Sequence, residues 1–461
     1  MFSTKAAYLL VIVCYIALLL AVSFFVARRR SGSSEAYLLA SRGLSIPLVS
    51  ALIAGTWTGG VSVVGMAQGA YLHGVSALWF QLGIWIAMFV TAFLLPRIVT
   101  AGKTYSILDV VGGLYGMGTA RLAGFLQLIF SVWIVTMQVV GGGAILSFIV
   151  KGDVTFSSGM CLTALVFTIY NMMGGLAATA YTNLIHLTVT AIGIFLGGFY
   201  AIASCPGLGR MAEGHYFTPF GDMGVFQALS LAYINFTLGV LAQPVINTAS
   251  SAGSMKGGRT GIVIGNLITI PIVVMAAMCG IVAKYVFPQV PSLSALPALL
   301  DVVPPCIGVF LLLAMWAPLM SAGSPFLMGA TTLAVKGYIA PALQMRNDRR
   351  LLLASRLTTL AIGLVALLLG FFVKEILRET AWLAVLMSAV VYIVFFGWTG
   401  RRISSAWAFI SLLGTVGVIS ISFATGLDKA VHPIWPVTAL VFVLMGMGVF
   451  LSKRAIVKKV V

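Results

Sequence analysis

Charge is scarce in this sequence. Only 8% of the 461 residues are charged, whereas 61% are hydrophobic. A soluble fold needs more polar surface than this composition supplies. Cysteine is also rare, and the five cysteines are scattered, mostly within apolar runs, which indicates neither a disulfide framework nor a metal site: Cys14, Cys161, Cys205, Cys279 and Cys306. The composition predicts an all-α polytopic membrane protein without a soluble domain.

The sequence also lacks the motifs that carry catalysis. It contains no HExxH metal motif, no paired carboxylates within an apolar segment and no nucleophile with a base nearby. We therefore predict that the protein is not an enzyme and needs no organic cofactor. The net charge of +17 comes from basic clusters beside the apolar segments. Such clusters bind anionic lipid headgroups, so we expect a lipid bilayer and not nucleic acid as the partner.

Apolar segments of about 20 residues, the length of a membrane span, recur along the chain. The first is too long for the core of a signal peptide and has no small-residue cleavage site before Arg28, so it is predicted to be retained. Thirteen spans are predicted in all: 7–27, 46–70, 75–96, 122–149, 156–173, 180–203, 225–249, 261–286, 305–336, 351–372, 381–399, 404–425 and 433–452.

The distribution of basic residues predicts the topology. With the N-terminus outside and the C-terminus cytoplasmic, most of the 27 Lys and Arg residues lie on the cytoplasmic side. This is the positive-inside pattern of a multi-pass protein of the cell (plasma or inner) membrane. We expect it to work as a monomer.

The second span is interrupted by residues 54–62, which contain three glycines and three hydroxyl side chains. A bilayer core offers no water to unpaired backbone groups, so such a break is tolerated where it lines a cavity. Transporters place cation and solute sites at breaks of this kind. A glycine-rich face for helix packing is the alternative interpretation.

A second interruption five spans later indicates an internal repeat. It includes Tyr233, Asn235, Gln243 and Pro244 in the seventh span. Because five is an odd number, two such units would have opposite orientations in the membrane, as in the inverted repeats of secondary transporters. We predict a first repeat at 46–203 and a second at 204–399, preceded by one extra span in 1–45 and followed by two in 400–461.

The ninth span carries two prolines around a serine. Pro318, Ser321 and Pro325 are spaced i, i+3, i+7 and so share one helix face. Each proline frees the carbonyl four residues before it, which for Pro325 is that of Ser321. A hydroxyl and spare carbonyls on one face suit Na⁺. The alternative is that the serines bond to their own helix.

Three blocks of sequence together resemble the sodium:solute symporter family. They are YLLASRGL at 37–44, GGLAA at 174–178 followed by YTNLIH at 181–186, and MSAGS at 320–324. The second block matches the spacing of the family's Gly-Gly and Thr-Asp-x-Ile-Gln signature, and the third lies where the family carries a serine-rich core motif. The resemblance runs from Tyr37 to about Gly414.

The resemblance implies a leucine-transporter-type 5+5 inverted-repeat fold and a sodium site between two core helices. Carried over by position, the ligands would be the backbone carbonyls of Gly55, Thr58 and Pro318 and the hydroxyl of Ser321. Two departures bear on this expectation. Ala322 stands where the family usually has a second hydroxyl, so one sodium ligand is missing. Asn183 replaces the signature aspartate, so a second sodium ion is not expected. Whether transport is coupled to sodium at all is left open by the sequence.

The resemblance also implies a solute cavity beside the ion, formed by spans two, four, seven and eleven. None of its predicted polar and aromatic members is charged, which favours a small neutral or zwitterionic solute. The alternative solute is a monocarboxylate, held by hydroxyl groups and a helix N-terminus. Gln138 could instead bond a neighbouring backbone, and Trp57 could simply fill space. The predicted members are Thr56, Trp57, Gln68, Gln138, Asn235, Gln243 and Tyr392.

These observations predict a sodium-coupled symporter that imports a small polar organic solute by alternating access. A sodium-independent or proton-coupled carrier is one alternative, with His186 as the proton site, although a lone histidine at this depth is more often a packing residue. A symporter-like sensor that does not transport is another.

Overall fold

The structure is a computed structural model that describes residues 4–99, 103–149, 154–205, 215–373, 376–429 and 431–452. These residues are almost entirely helical, as the composition predicts. Within them the nearest approach to a strand pair is one isolated parallel bridge between Leu44 and Ala252.

The helices are named here in chain order, and short 3-10 and π turns join several of them. Their bounds are α1 Thr4–Arg30, α2 Ser34–Leu39, α3 Ile46–Trp57, α4 Met66–His73, α5 Leu78–Ile98, α6 Ile107–Tyr115, α7 Met117–Ile149, α8 Phe156–Ala203, α9 Val225–Val240, α10 Gln243–Ser250, α11 Met255–Val286, α12 Ala295–Ala298, α13 Pro305–Ala334, α14 Ala340–Ala342, α15 Asp348–Gly370, α16 Ile376–Gly397, α17 Ser405–Thr425 and α18 Ile434–Leu451.

The described helices accommodate the thirteen predicted spans. Ten helical segments are individually long and apolar enough to cross a membrane. One of these segments, α8, contains the fifth and sixth predicted spans. Another runs from Val61 to Ile98 and contains the second half of the second span together with the third. The eleventh span corresponds to the shorter apolar helix within α16. The predicted ends differ from the observed ones by a few residues, because polar end residues continue several helices beyond the apolar run.

The helix α8 folds back on itself at Gly175. This glycine has φ 59° and ψ −152°, a conformation that non-glycine residues avoid. In a straight helix Tyr170 and His186 would lie about 24 Å apart, yet their side chains are 3.3 Å apart. The Gly174-Gly175 pair therefore forms a tight turn between two antiparallel spans.

Both predicted helix interruptions are present. The helix α3 ends at Trp57 and a π turn begins at Val61, with Thr58 in a non-helical conformation between them. The counterpart break separates α9 from α10 at Leu241 and Ala242. A break near the middle of each span leaves backbone groups without helical partners at membrane depth.

The helix α13 lies at the centre of the bundle. In the most apolar stretch of this helix 78% of the residues are buried inside the bundle, whereas in α1, at the periphery, only 22% are. It packs against both halves of α8, against α7 and against α3. This central position brings the prolines and serines of α13 to the interrupted second span.

Candidate functional site

The break after α3 meets α13 through Ser321. The hydroxyl of Ser321 lies 3.2 Å from the carbonyl oxygen of Gly55 and 2.9 Å from that of Pro318. All three residues are buried. Three of the four residues predicted to bind sodium therefore form one cluster of neutral oxygen atoms.

The fourth predicted residue, Thr58, lies in the break itself. It follows the last residue of α3, and its hydroxyl donates to the carbonyl of Ala54 at 2.6 Å. The hydroxyl is therefore engaged by its own helix. The expectation for Thr58 concerned its backbone carbonyl, and this remains a prediction.

Asn183 lies against both sides of this cluster. Its side-chain Nδ2 donates to the carbonyl of Ser321 at 3.0 Å, the carbonyl that Pro325 leaves without a helical partner. A Cβ on Gly55 would lie only 2.4 Å from the same Nδ2. Gly55 is therefore required here for a close approach between helices, in addition to offering its carbonyl.

A cavity of about 70 Å³ lies beside the break in the second span, and Gly55, Pro318 and Ser321 are not among its lining residues. Thr56 and Ala322 line it, and they are the chain neighbours of Gly55 and Ser321. Apolar side chains form most of the wall, and none of its described members is charged. The full lining is Thr56, Trp57, Gly59, Val61, Ser62, Phe80, Gln81, Ile84, Ile134, Gln138, Asn235, Leu238, Ala322, Phe326 and Thr380.

Two glutamines satisfy the backbone of the break. Gln138 accepts a hydrogen bond from the N–H of Gly60 at 3.3 Å, which is the neighbouring-backbone role that the sequence left open. Gln81 donates to the carbonyl of Trp57 at 3.2 Å and accepts from the hydroxyl of Ser62 at 3.0 Å. These bonds supply partners that lipid cannot.

The sequence prediction missed Gln81, Ser62 and Thr380 as members of the cavity wall. A signal for Gln81 was available, since it is an isolated amide in an otherwise apolar helix that follows the break. Thr380 lies near the start of α16 and accepts a hydrogen bond from Trp133 at 3.0 Å. No local pattern marked it.

Four predicted cavity residues line the cavity, and three do not. The four are Thr56, Trp57, Gln138 and Asn235. The structure places the other three elsewhere, each with a partner of its own: Gln68 donates to Ser292 at 3.3 Å, Gln243 to Asn247 at 2.6 Å and Tyr392 to Tyr233 at 2.6 Å. Other residues of the same helical segments do line the cavity, namely Val61, Leu238 and Thr380.

His186 lies in a separate buried network. Its Nδ1 is hydrogen-bonded to the hydroxyl of Tyr15 on α1, and its Nε2 lies 3.3 Å from the hydroxyl of Tyr170. Tyr170 also contacts the hydroxyl of Ser324 at 2.5 Å. Both ring nitrogens thus have hydroxyl partners, which agrees with a packing histidine.

The oxygen cluster suits a monovalent cation better than a transition metal. Among the described residues there is no group of His, Cys, Asp or Glu side chains that could hold a metal ion. Carbonyl and hydroxyl oxygens are hard, neutral ligands, whereas zinc and copper sites use nitrogen and sulfur. Gly55, Pro318 and Ser321 would hold the ion.

Comparison with known proteins agrees with this geometry. The family model described as "Sodium:solute symporter family" matches residues 37–415. The high-affinity proline transporter PutP of Bacillus subtilis is 24% identical over 385 residues, covering 77% of this chain and 78% of that protein. The osmoregulated proline transporter OpuE of the same organism is 23% identical over 442 residues, covering 90% and 88%.

A third relative matches over a shorter length. The human high affinity choline transporter 1 is 25% identical over 203 residues, which cover 42% of this chain and 35% of that protein.

Solved structures show the same fold at low sequence identity. A sodium-coupled sialic acid symporter in a substrate-bound, outward-open state has a TM-score of 0.82 at 13% identity, covering 98% of this chain and all of that one. MhsT in complex with L-phenylalanine has a TM-score of 0.54 at 15% identity, covering 88% and 96%. The neighbours are transporters with the leucine-transporter fold.

Proposed function

The chain belongs to the sodium:solute symporter family, and on this premise we propose that it is a sodium-coupled symporter that imports a small polar organic solute. The observation that carries the proposal is the contact of the Ser321 hydroxyl with the carbonyls of Gly55 and Pro318. Because these oxygens come from two helices, one interrupted and one central, an ion bound to them would hold the two helices together.

Coupling follows from the position of the solute cavity. Thr56 and Ala322 belong to the cavity wall, and each is adjacent in sequence to a proposed ion ligand. An ion that orders the break would therefore also order the wall. A difference of about 1–3 kcal/mol in solute affinity between the ion-bound and ion-free states is typical of such linkage.

Alternating access supplies the transport step. The first predicted repeat, 46–203, contributes the interrupted span α3–α4. The second predicted repeat, 204–399, contributes the interrupted span α9–α10. We propose that the N-terminus is outside and the C-terminus cytoplasmic. Inward movement of one sodium then gains about 2.3 kcal/mol per 100 mV of membrane potential.

L-Proline is the first solute to test. Two relatives that match most of this chain are proline transporters, and proline is small and zwitterionic. The cavity wall carries amide and hydroxyl groups without a charged side chain among its described members. The cavity volume of about 70 Å³ favours a compact solute over a large one.

The decisive experiment measures uptake into proteoliposomes under two separate driving forces. We expect radiolabelled solute to accumulate with an inward sodium gradient at equal pH on both sides, and not with a pH gradient in the absence of sodium. Accumulation with the pH gradient alone would instead establish the proton-coupled alternative. Sodium-dependent binding without any flux would establish the sensor alternative.

A further inference from the structure

The side chains around His186 form one chain of hydrogen bonds. Tyr15 on α1 is bonded to the Nδ1 of His186, and the Nε2 of the ring lies 3.3 Å from the hydroxyl of Tyr170. That hydroxyl lies 2.5 Å from the hydroxyl of Ser324, which donates to the carbonyl of Met320 at 2.8 Å. The chain therefore connects the extra N-terminal helix α1 with the central helix α13.

One assignment of the hydrogen atoms gives every donor of this chain an acceptor. The Tyr15 hydroxyl donates to the Nδ1 of a neutral His186, and the Nε2–H of the ring donates to Tyr170. The Tyr170 hydroxyl then donates to Ser324, whose own hydrogen goes to Met320. With the ring proton on Nδ1 instead, the hydrogen of the Tyr15 hydroxyl would have no acceptor among the described residues. The side chains are buried, so removing one hydroxyl leaves its neighbour without a partner.

Ser324 lies in the part of α13 that two prolines weaken. Pro318 and Pro325 are inside this helix, and each removes a helical hydrogen bond. A serine hydroxyl that bonds the carbonyl four residues earlier often bends a helix, and Ser324 bonds Met320 in this way. The proposed ion ligand Ser321 lies between these two residues. The direction of its side chain therefore depends on how the Ser324 hydroxyl is held.

Two neighbouring residues of α8 hold the Ser324 hydroxyl. Tyr170 lies 2.5 Å from it, and the Nδ2 of Asn171 donates to it at 2.8 Å. The side-chain oxygen of Asn171 in turn accepts from Thr179 at 2.5 Å, across the turn at Gly175. A hydroxyl oxygen has two acceptor positions and one hydrogen. With two donors from α8 and an acceptor in its own helix, the Ser324 hydroxyl has a full set of partners, and α8 determines its orientation.

We propose, on the basis of the sodium-coupled function above, that Tyr15 and Tyr170 are positioning residues for the sodium site. Tyr170 holds the Ser324 hydroxyl in the orientation that bends α13 beside Ser321. Through the ring of His186, Tyr15 holds Tyr170 in place. Neither tyrosine is among the proposed ion ligands. The extra helix α1, which precedes the two predicted repeats, thus contributes to the affinity for sodium.

The first test measures sodium binding to the purified full-length protein by thermal shift. Sodium chloride is titrated against potassium chloride at constant ionic strength without a solute, and the rise in melting temperature gives an apparent sodium dissociation constant. Tyr15→Phe removes the hydroxyl and keeps the ring. It should raise this constant about threefold or more, within the range for residues that act through a network. An unchanged constant would overturn the inference.

Tyr8→Phe is the matched control for this test. Tyr8 is a buried residue of the same helix, and among the described residues its hydroxyl has no hydrogen-bond partner. This variant should bind sodium as the wild type does. If Tyr15 only stabilised the fold, Tyr15→Phe would lower the melting temperature in potassium chloride and leave the sodium dissociation constant unchanged.

A double-mutant cycle tests whether the chain itself transmits the effect. Tyr15 and Ser324 do not bond each other, so their effects on sodium binding are coupled only if the residues between them connect the two. Tyr15→Phe should therefore add nothing to the effect of Ser324→Ala on the sodium dissociation constant. Effects that multiply would overturn the proposed chain. If Ser324→Ala does not fold, Tyr170→Phe takes its place in the cycle.

Failure of this inference is distinguishable from failure of the proposed function. A wild-type protein that sodium stabilises, together with a Tyr15→Phe variant of equal sodium affinity, would refute the inference and leave the symporter in place. A wild-type protein that sodium and potassium chloride stabilise equally would remove the proposed sodium site. The positioning role of the two tyrosines would be lost with it.

Discussion

The hydroxyl of Ser321 lies 3.2 Å from the carbonyl oxygen of Gly55, although 266 positions separate the two residues in the chain. One belongs to the central helix α13 and the other to the interrupted second span. Because both atoms are neutral oxygens, the contact joins the two helices without burying a charge. The proposed coupling depends on this pair.

Replacing Ser321 with Ala should raise the sodium concentration needed for half-maximal uptake about tenfold, as expected for the loss of one interaction with a charged group. The sodium dependence of initial uptake in proteoliposomes measures this. Ser411→Ala is the control, since the hydroxyl of Ser411 bonds the carbonyl of Trp407 in its own helix at 2.8 Å and has no other partner among the described residues. Unchanged sodium dependence in well-folded Ser321→Ala would count against the site.

Replacing His186 with Gln should preserve sodium-driven uptake and its dependence on pH. Glutamine has a donor and an acceptor, so it can retain a bond to Tyr15 or Tyr170, the two partners of the ring. Uptake at about pH 6 to 8, where a histidine can change charge, measures the effect. If wild-type uptake follows the pH gradient and the variant's does not, His186 carries protons and this prediction fails.

Arg42 joins three segments at one end of the bundle, and its loss should loosen them. Its Nη1 donates to the carbonyls of Thr104 and Ser250 at 3.2 and 3.3 Å, and its Nε bonds Glu35 at 2.9 Å. Arg42→Gln keeps a donor but loses the branched guanidinium.

Hydrogen exchange measures this loosening. Faster exchange is expected at the amide of Leu44, which bonds Ser251 across the bridge at 2.9 Å. Arg349→Gln, an exposed basic residue in α15, is the control. Equal protection of Leu44 in all three proteins would show that Arg42 does not hold the bridge.

Replacing Gly83 with Ala should destabilise the bundle by about 1–3 kcal/mol, the usual range for overpacking. A Cβ there would lie 2.0 Å from the backbone oxygen of Ala232 in α9. Gly113→Ala is the control, because a Cβ at Gly113 meets nothing within 4 Å. Melting temperatures in detergent should fall for the first variant and stay the same or rise for the second. Equal melting temperatures would mean that α5 and α9 can separate without cost.

The sequence indicated the spans and their breaks because both depend on neighbouring residues. Apolar length matches the bilayer thickness. Glycine weakens a helix because its backbone is flexible, and proline removes a helical hydrogen bond. The interruptions after Trp57 and Val240 are confirmed, and so is the family that the three sequence blocks indicated. The pairing of Gly55 with Ser321 came from the family resemblance and not from either segment alone.

By itself, then, the sequence determined that this is a membrane bundle with two interrupted spans and with a serine and two prolines on one face of the ninth span. Only the tertiary structure decided which polar side chains reach the cavity. Gln81 does, whereas Gln68, Gln243 and Tyr392 bond elsewhere. The reason is that packing against distant helices sets both the depth and the rotation of each helix relative to the cavity, and no local pattern encodes either.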